Sequence, residues 1–266
     1  YYVLENFYIE LNKEISFILN NQKIKKFILP YEGQVFQNYI LKTVNQKKII
    51  ETVGYVHSAL PPLPSEYIKR PGSPKKIIVH GNLQKQIMLK NLGWKNKDIV
   101  CRKSARYIYK DKKNFQNTIF IPMTFEDEKL LLIYLENFLK KQHVKSLTSL
   151  RIKNHPLMYN SKKHLKFIKN INLLLRKYKN RFNKNINIPK SIFFSATASI
   201  IEALEYGIEI IHIVNDPIME VHNPKIWKFI KTKKIDENIY KYKLSKKKSC
   251  INFREKNFNF SNWITK

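Results

Sequence analysis

Apolar residues in this chain come in short runs set between longer stretches of helical periodicity. That alternation constrains the fold more than any other feature. Lys26–Leu29, Lys48–Tyr55, Lys75–Val79, Thr118–Met123, Leu150–Lys153, Ser191–Phe194 and Ile208–Val214 read as strands. Phe7–Leu19, Val35–Asn45, Leu83–Asn91, the stretch from Thr124 to Lys141, Leu165–Phe182 and Ile200–Tyr206 read as helices, and Ile99–Tyr109 as strand or loop. Short buried strands alternating with helices are the pattern of a parallel α/β sheet with crossover helices. The punctuation agrees. Asn82 can cap the helix that stops at Gly93, Thr124 with Asp127 forms a capping box, and Gly207 follows the helix over Ile200–Tyr206. Pro61, Pro62 and Pro64 make the stretch from Val56 to Arg70 irregular.

The alternation runs through the chain twice, with the polar stretch Lys110–Asn117 read as the linker between the two series. The expected organisation is an α/β domain over residues 1–114, a second over 115–235, and a Lys/Asn-rich tail over 236–266. The chain of 266 residues begins Tyr1-Tyr2 rather than with Met, so an N-terminal portion is expected to be missing.

Composition excludes several classes. Sixteen Phe and 15 Tyr supply a core, which rules out disorder as the main state. The best apolar runs, Leu130–Leu135 and Ile208–Val214, fall far short of the roughly 20 residues a membrane-crossing helix needs. Cys101 and Cys250 stand far apart, which argues against a disulfide framework and fits a reducing, cytoplasmic setting. Fifty basic against 20 acidic residues give a formal net charge of +30. Only seven of the 50 are Arg, the residue suited to bidentate phosphate and base contacts. Lys, Asn and Ile together make 106 of the 266 residues, and all three have A/T-rich codons. Genome composition therefore accounts for most of the lysine, and specific nucleic-acid binding is not expected. Peripheral contact with an anionic inner membrane stays open. No GxxxxGK[ST] loop, GxGxxG turn, GxSxG elbow, HExxH or Cys/His zinc spacing occurs, so no cofactor and no metal are expected. Glu126-Asp127-Glu128 opens a helix, where acidic residues favour the dipole.

Ligands of an open α/β sheet bind outside the carboxyl ends of its strands, and polar clusters fall there. Ser195-Ala196-Thr197-Ala198-Ser199 sets three hydroxyls between a strand and a helix, with small spacers that let an anion approach the backbone. Arg151-Ile152-Lys153-Asn154-His155-Pro156 brings basic groups and an imidazole off another strand end, and Pro156 holds His155 out of the helical region. In the first half, Tyr31-Glu32-Gly33-Gln34 offers a carboxylate. Gly54-Tyr55-Val56-His57-Ser58 offers a glycine with a His/Ser pair.

This order resembles the donor half of GT-B glycosyltransferases: a strand leading into His-Pro, then a strand, a Ser/Thr-rich loop and a helix ending Glu-Tyr-Gly at Gly207, then a buried strand. It is similar in particular to bacterial sialyltransferase and Kdo-transferase-like enzymes of surface-polysaccharide biosynthesis. Pro30–Gln34, Gly54–Ser58 and Gly93-Trp94 resemble the same group, and the resemblance spans about Lys26 to Val214. It departs at Tyr31, where the family's acidic motif carries a first acidic residue. The resemblance implies two Rossmann-like halves facing a cleft, the first incomplete. It implies inverting, metal-independent transfer of a sugar such as a nonulosonate from a nucleotide donor, CMP-linked by preference, to a glycan or lipid-linked glycan. Catalysis would fall to Glu32 and His155, with His57 as the fallback base. Arg151, Lys153, His155, Pro156, Ser195, Thr197, Ser199 and Glu202 would hold the donor, and Tyr31, Gly33, Gln34, Gly54, Tyr55 and Ser58 would face the acceptor. A sugar-nucleotide epimerase, a polyol-phosphate transferase, and a non-catalytic Lys-rich binder of nucleic acid or membrane remain the alternatives.

Overall fold

The computed structural model describes residues 2–57, 65–108, 112–125, 127–141, 150–181, 190–195, 197–214, 229–245 and 250–253. Ser58, Pro61, Pro62, Pro64, Glu126 and Ala196 lie outside the described residues. The chain is α/β and divides into two compact units, Tyr1–Tyr109 with Lys248–Lys266, and Lys110–Lys247.

In unit 1, helix α1 (Tyr2–Asn21) precedes β1 (Lys26–Pro30), α2 (Val35–Gln46), β2 (Glu51–Tyr55), β3 (Lys76–Val79), α3 (Asn82–Asn91) and β4 (Ile99–Cys101). The four strands form a parallel sheet in the order β1-β2-β3-β4. β2 and β3 are buried almost throughout, as a parallel sheet covered on both faces requires. β1 is an edge strand, which is where Pro30 can end it without forfeiting a ladder bond. Leu19 from α1 packs with Ile40 and Val44 from α2 and with Ile50.

Unit 2 runs β5 (Thr118–Phe120), α4 (Glu128–Lys140), β6 (Arg151–Lys153), α5 (Lys162–Lys177), β7 (Lys190–Phe194), α6 (Ser199–Glu205), β8 (Glu209–Ile213), β9 (Ile230–Asp236) and β10 (Ile239–Leu244). Its sheet has the order β6-β5-β7-β8-β10-β9. β6, β5, β7 and β8 are parallel, and the β9–β10 hairpin joins antiparallel at β8. One face buries Ile119, Ile192, Phe194 and Ile211 against Leu131, Leu135 and Phe138 of α4 and Phe167 and Ile171 of α5. Each such side chain withdrawn from water contributes about 1.5–3 kcal/mol. On the other face Phe120 stacks on Phe193 at 4.4 Å, and Phe115 stacks on Phe120 and Tyr206.

Several expectations change, among them the cap of α3, which is Gly81 rather than Asn82. Residues 112–117 are part of unit 2 rather than a linker: Phe115 enters the aromatic stack, and Asn117, at φ 49°, donates its backbone N–H to Lys190. The helix cap at α4 is Asp127, whose carboxylate accepts the Leu130 N–H, and not Thr124. The expected tail holds β10, and Asn252 returns to unit 1, where its N–H donates to the His80 carbonyl and its carbonyl accepts from the Ser104 N–H.

Candidate functional site

In unit 1 the register pairs Pro30 with Tyr55 and Tyr55 with Ile78. Two residues further on, past the strand ends, Glu32 and His57 come level on neighbouring strands. Their side chains meet, with His57 Nε2 3.0 Å from Glu32 Oε1. In the neutral ring a nitrogen bonded to a carboxylate carries the proton, which leaves Nδ1 with the lone pair. Nδ1 is buried and has no hydrogen-bond partner among the described residues, whereas the Glu32 side chain is 35% exposed. The carboxylate is therefore the more accessible proton acceptor of the two, and the contact with His57 holds it in place. Gln34 Nε2 donates to the other carboxylate oxygen at 3.0 Å, and the Glu32 N–H donates to Gln37 Oε1.

The loop carrying this carboxylate is held by Gly33. Its φ is +69°, and a Cβ there would lie 2.0 Å from the Glu66 carbonyl oxygen. Arg70 Nη2 donates to the Gly33 carbonyl at 2.7 Å. Only glycine gives both the left-handed turn and the close approach.

In unit 2 the carboxyl ends of β6, β5 and β7 lie on one edge, because the three strands are parallel. The order reverses here: the chain leaves β5 for β6 and comes back to β7 on the other side of β5. Such a reversal opens a crevice at the strand ends. His155, Pro122 and Ser195 each stand two residues beyond the last paired row, Lys153–Phe120–Phe193. His155 and Ser195 are thus two strand spacings apart, roughly 10 Å. Between them is a proline, with no N–H to donate.

His155 has φ −63° and ψ 135°, the extended conformation expected before proline. Its Nδ1 accepts the Leu157 N–H at 3.3 Å at the head of the short 3-10 turn Pro156–Met158. In the neutral ring this fixes the proton on Nε2, making that nitrogen a donor. It has no partner among the described residues. Across the crevice Ser195 and Thr197 are half-buried and Ala198 is exposed. Thr197 Oγ1 caps the turn into α6 by accepting the Ser199 N–H at 3.3 Å. The Ser195 and Ser199 hydroxyls make no hydrogen bond among the described residues. At seven residues α6 sums too few peptide dipoles for its own N-terminus to matter much, so anion affinity here rests on side chains.

Ser195 adopts φ +48°, a strained backbone for a residue with a side chain. Two bonds hold it: its N–H donates to the Ile213 carbonyl, and its carbonyl accepts from His212 Nε2 at 2.8 Å. His212 Nδ1 in turn accepts from the Tyr242 hydroxyl at 3.1 Å. His212 is fully buried, and desolvation pulls its imidazole down to about 4, against the lift from the Ser195 carbonyl. The ring stays neutral with its proton on the nitrogen that grips Ser195. A second buried imidazole, His164, brings Nε2 to 3.1 Å from the Pro122 carbonyl and steadies the exit of β5.

Several expected site residues serve the core instead. Tyr31 is fully buried. Its hydroxyl donates to Asn38 Oδ1 at 2.8 Å, and burial pushes its phenol up. A Cβ at Gly54 would lie 2.8 Å from Pro74 and 2.9 Å from Tyr31, so this glycine makes room for packing rather than for an acceptor. Tyr55 is buried beneath the edge, with its hydroxyl accepting the Ala105 N–H and its phenol raised by desolvation. Arg151 starts β6, at the end away from the crevice, and donates to the Lys113 and Gln116 carbonyls. Glu202 is buried within α6 rather than presented at the edge. Lys153, exposed at the end of β6, sits over the Phe120 and Phe115 rings at 5.5 and 5.9 Å. His212, Tyr242 and His164 were not anticipated. The available signal for His212 was an imidazole inside an apolar strand, which must find partners when buried.

Among the described residues no three His, Cys, Asp or Glu side chains gather to hold a metal ion. No helix among them is long and apolar enough to cross a membrane. No protein-family model matches the chain, and neither a curated protein nor a solved structure matches it.

Proposed function

We propose that the chain is an inverting glycosyltransferase of the GT-B kind. It would move a sugar, a CMP-linked nonulosonate by preference, from a nucleotide donor to a glycan or lipid-linked glycan in a cytoplasmic setting. The reading rests on one juxtaposition: His155 and the Ser195–Ser199 hydroxyls bracket a crevice at a reversal of strand order. The bond between the anomeric carbon and the phosphate oxygen breaks as positive charge builds on the sugar and negative charge on the phosphate. His155 Nε2–H and the Ser195 and Ser199 hydroxyls donate to that phosphate, and Lys153 adds positive charge beside it. Donors fixed before the reaction cost no reorganisation when the charge appears, and one such donor is worth about 2.7–4 kcal/mol. The acceptor hydroxyl oxygen forms the new bond on the opposite face of the anomeric carbon. Its proton goes to a general base, and within unit 1 Glu32, held by His57 and Gln34, has the chemistry of one. A single displacement of this form inverts the anomeric centre, and none of its steps requires a metal ion.

Incubation with CMP-, UDP- and GDP-linked sugars, assayed for released nucleotide and for glycan product, tests the proposal. Nucleotide release from one donor class is expected, and His155→Ala is expected to lower it about 100-fold or more with the fold intact. Unchanged turnover in that variant contradicts the reading. An isomerised sugar nucleotide with no transfer would favour an epimerase instead.

A further inference from the structure

The groove between α4 and α5, on the face of unit 2 formed by these helices, is lined by Leu132, Ile133, Leu173 and Leu174 with Glu136, Asn170 and Lys177, and has a volume of about 300 Å³. It plays no part in the site described above. Helix α5 buries His164, Phe167 and Ile171 on one side. Lys162, Leu165, Lys166, Lys169, Leu173 and Arg176 recur at the spacing of one helical stripe on the other side, and all six are exposed. Leu165 and Leu173 are 51% and 54% exposed, and Ile133, which lines the groove with Leu173, is 52% exposed. α5 contains no acidic residue. Of the carboxylates beside the groove, Glu136 is paired with Lys177 and the Tyr178 hydroxyl, which pull it down to about 2, while Glu128 accepts from the neutral Asn170 and keeps a charge that Lys162, Lys166, Lys169 and Arg176 outnumber.

From this combination we infer that the α4–α5 face docks on an anionic lipid surface. Leucine and isoleucine side chains enter the headgroup boundary while the flanking lysines and arginine meet lipid phosphates. A nucleic acid would use the charge but leave three apolar side chains in water. The exposed apolar residues of α1 make the contrast. Phe7, Phe17 and Ile18 are as open, but Glu10 and Glu14 are exposed on that helix. That mixed charge gives α1 no preference for an anionic leaflet.

Co-sedimentation of the full chain with vesicles tests this, comparing pure phosphatidylcholine with equal parts phosphatidylcholine and phosphatidylglycerol. Binding to the mixed vesicles is expected to be about tenfold or more stronger, and to weaken in high salt. Leu165→Gln with Leu173→Gln, and separately Lys166→Glu with Lys169→Glu, are each expected to lower it about tenfold at unchanged melting temperature. Lys231→Glu with Lys233→Glu, on β9 and with the same change in net charge, is expected to retain most of the binding. Equal binding to both vesicle types overturns the proposal, as does wild-type binding in both patch variants. An equal loss in the β9 control also overturns it, because charge alone would then explain the binding. Salt-sensitive retention on double-stranded DNA that displaces vesicles and ignores the two leucines overturns it in favour of a nucleic-acid surface. None of these results depends on transferase activity.

Discussion

The two sheets present their chemistry in different ways. In unit 1 the candidate pair stands on adjacent strands, so Glu32 and His57 touch. In unit 2 the corresponding groups stand on β6 and β7 with β5 between them, so His155 and Ser195 bracket a gap roughly two strands wide. The order of unit 1 runs one way through its four strands, whereas that of unit 2 reverses at β5. Topology thus decides whether two polar residues at strand ends satisfy each other or await a ligand. A touching His–carboxylate pair suits proton transfer, and a bracketed gap suits an anion.

If that division holds, replacing each edge has a different consequence. The largest effect is expected at Glu32. Glu32→Gln should lower turnover about 10²–10⁴-fold while nucleotide affinity stays as in the wild type, as steady-state rates beside equilibrium binding would reveal. Equal losses in both quantities would dissolve the distinction between the edges. His155→Ala should cost about 10²–10³-fold in rate and weaken nucleotide binding as well, since its donor acts on the leaving phosphate.

The support beneath Ser195 is read by acid titration. The His212 imidazole lies near 4 in the fold against 6.5 ordinarily, so the unfolded chain binds a proton that the folded one refuses. Its contribution is complete above pH 6.5 and is lost as pH falls toward 4, amounting to about 3 kcal/mol. His212→Phe should remove that slope from a plot of stability against pH, as well as the bond to the Ser195 carbonyl. A slope that persisted in the variant would assign it to other groups. Ser195→Gly has the smallest effect. Release of the positive φ should stabilise unit 2 by about 1 kcal/mol, while loss of the hydroxyl weakens nucleotide binding.

Much of this arrangement was legible in the sequence. Alternation of short apolar runs with helical stretches revealed eight strands, with β4 only as strand or loop, and the strand-to-helix order put His155 and Ser195 on one carboxyl edge. β9 and β10 were not legible, because exposed lysines interrupt their apolar positions, as in Ile230-Lys231-Thr232-Lys233. Lysine on an outer strand guards against edge pairing and reads as a solvated tail. Tyr31 was misassigned because side chains alternate across a strand. One residue before Glu32 it points into the core, and only the register reveals which of the two faces outward. Arg151 belongs to the same motif as His155 but stands four residues earlier, at the amino end of β6. The bond between Glu32 and His57 depends on how β1 pairs with β2, which no local pattern encodes.

Thermal melting with CMP, UMP and GMP, run on the wild type, Glu32→Gln and His155→Ala with Ser195→Ala, addresses the division between the edges most directly. One nucleotide, at about 100 times its dissociation constant, should stabilise the wild type and Glu32→Gln alike by about 2.7 kcal/mol and leave the double variant unmoved. Stabilisation that vanished in Glu32→Gln and survived in the double variant would contradict the assignment of the anion to unit 2.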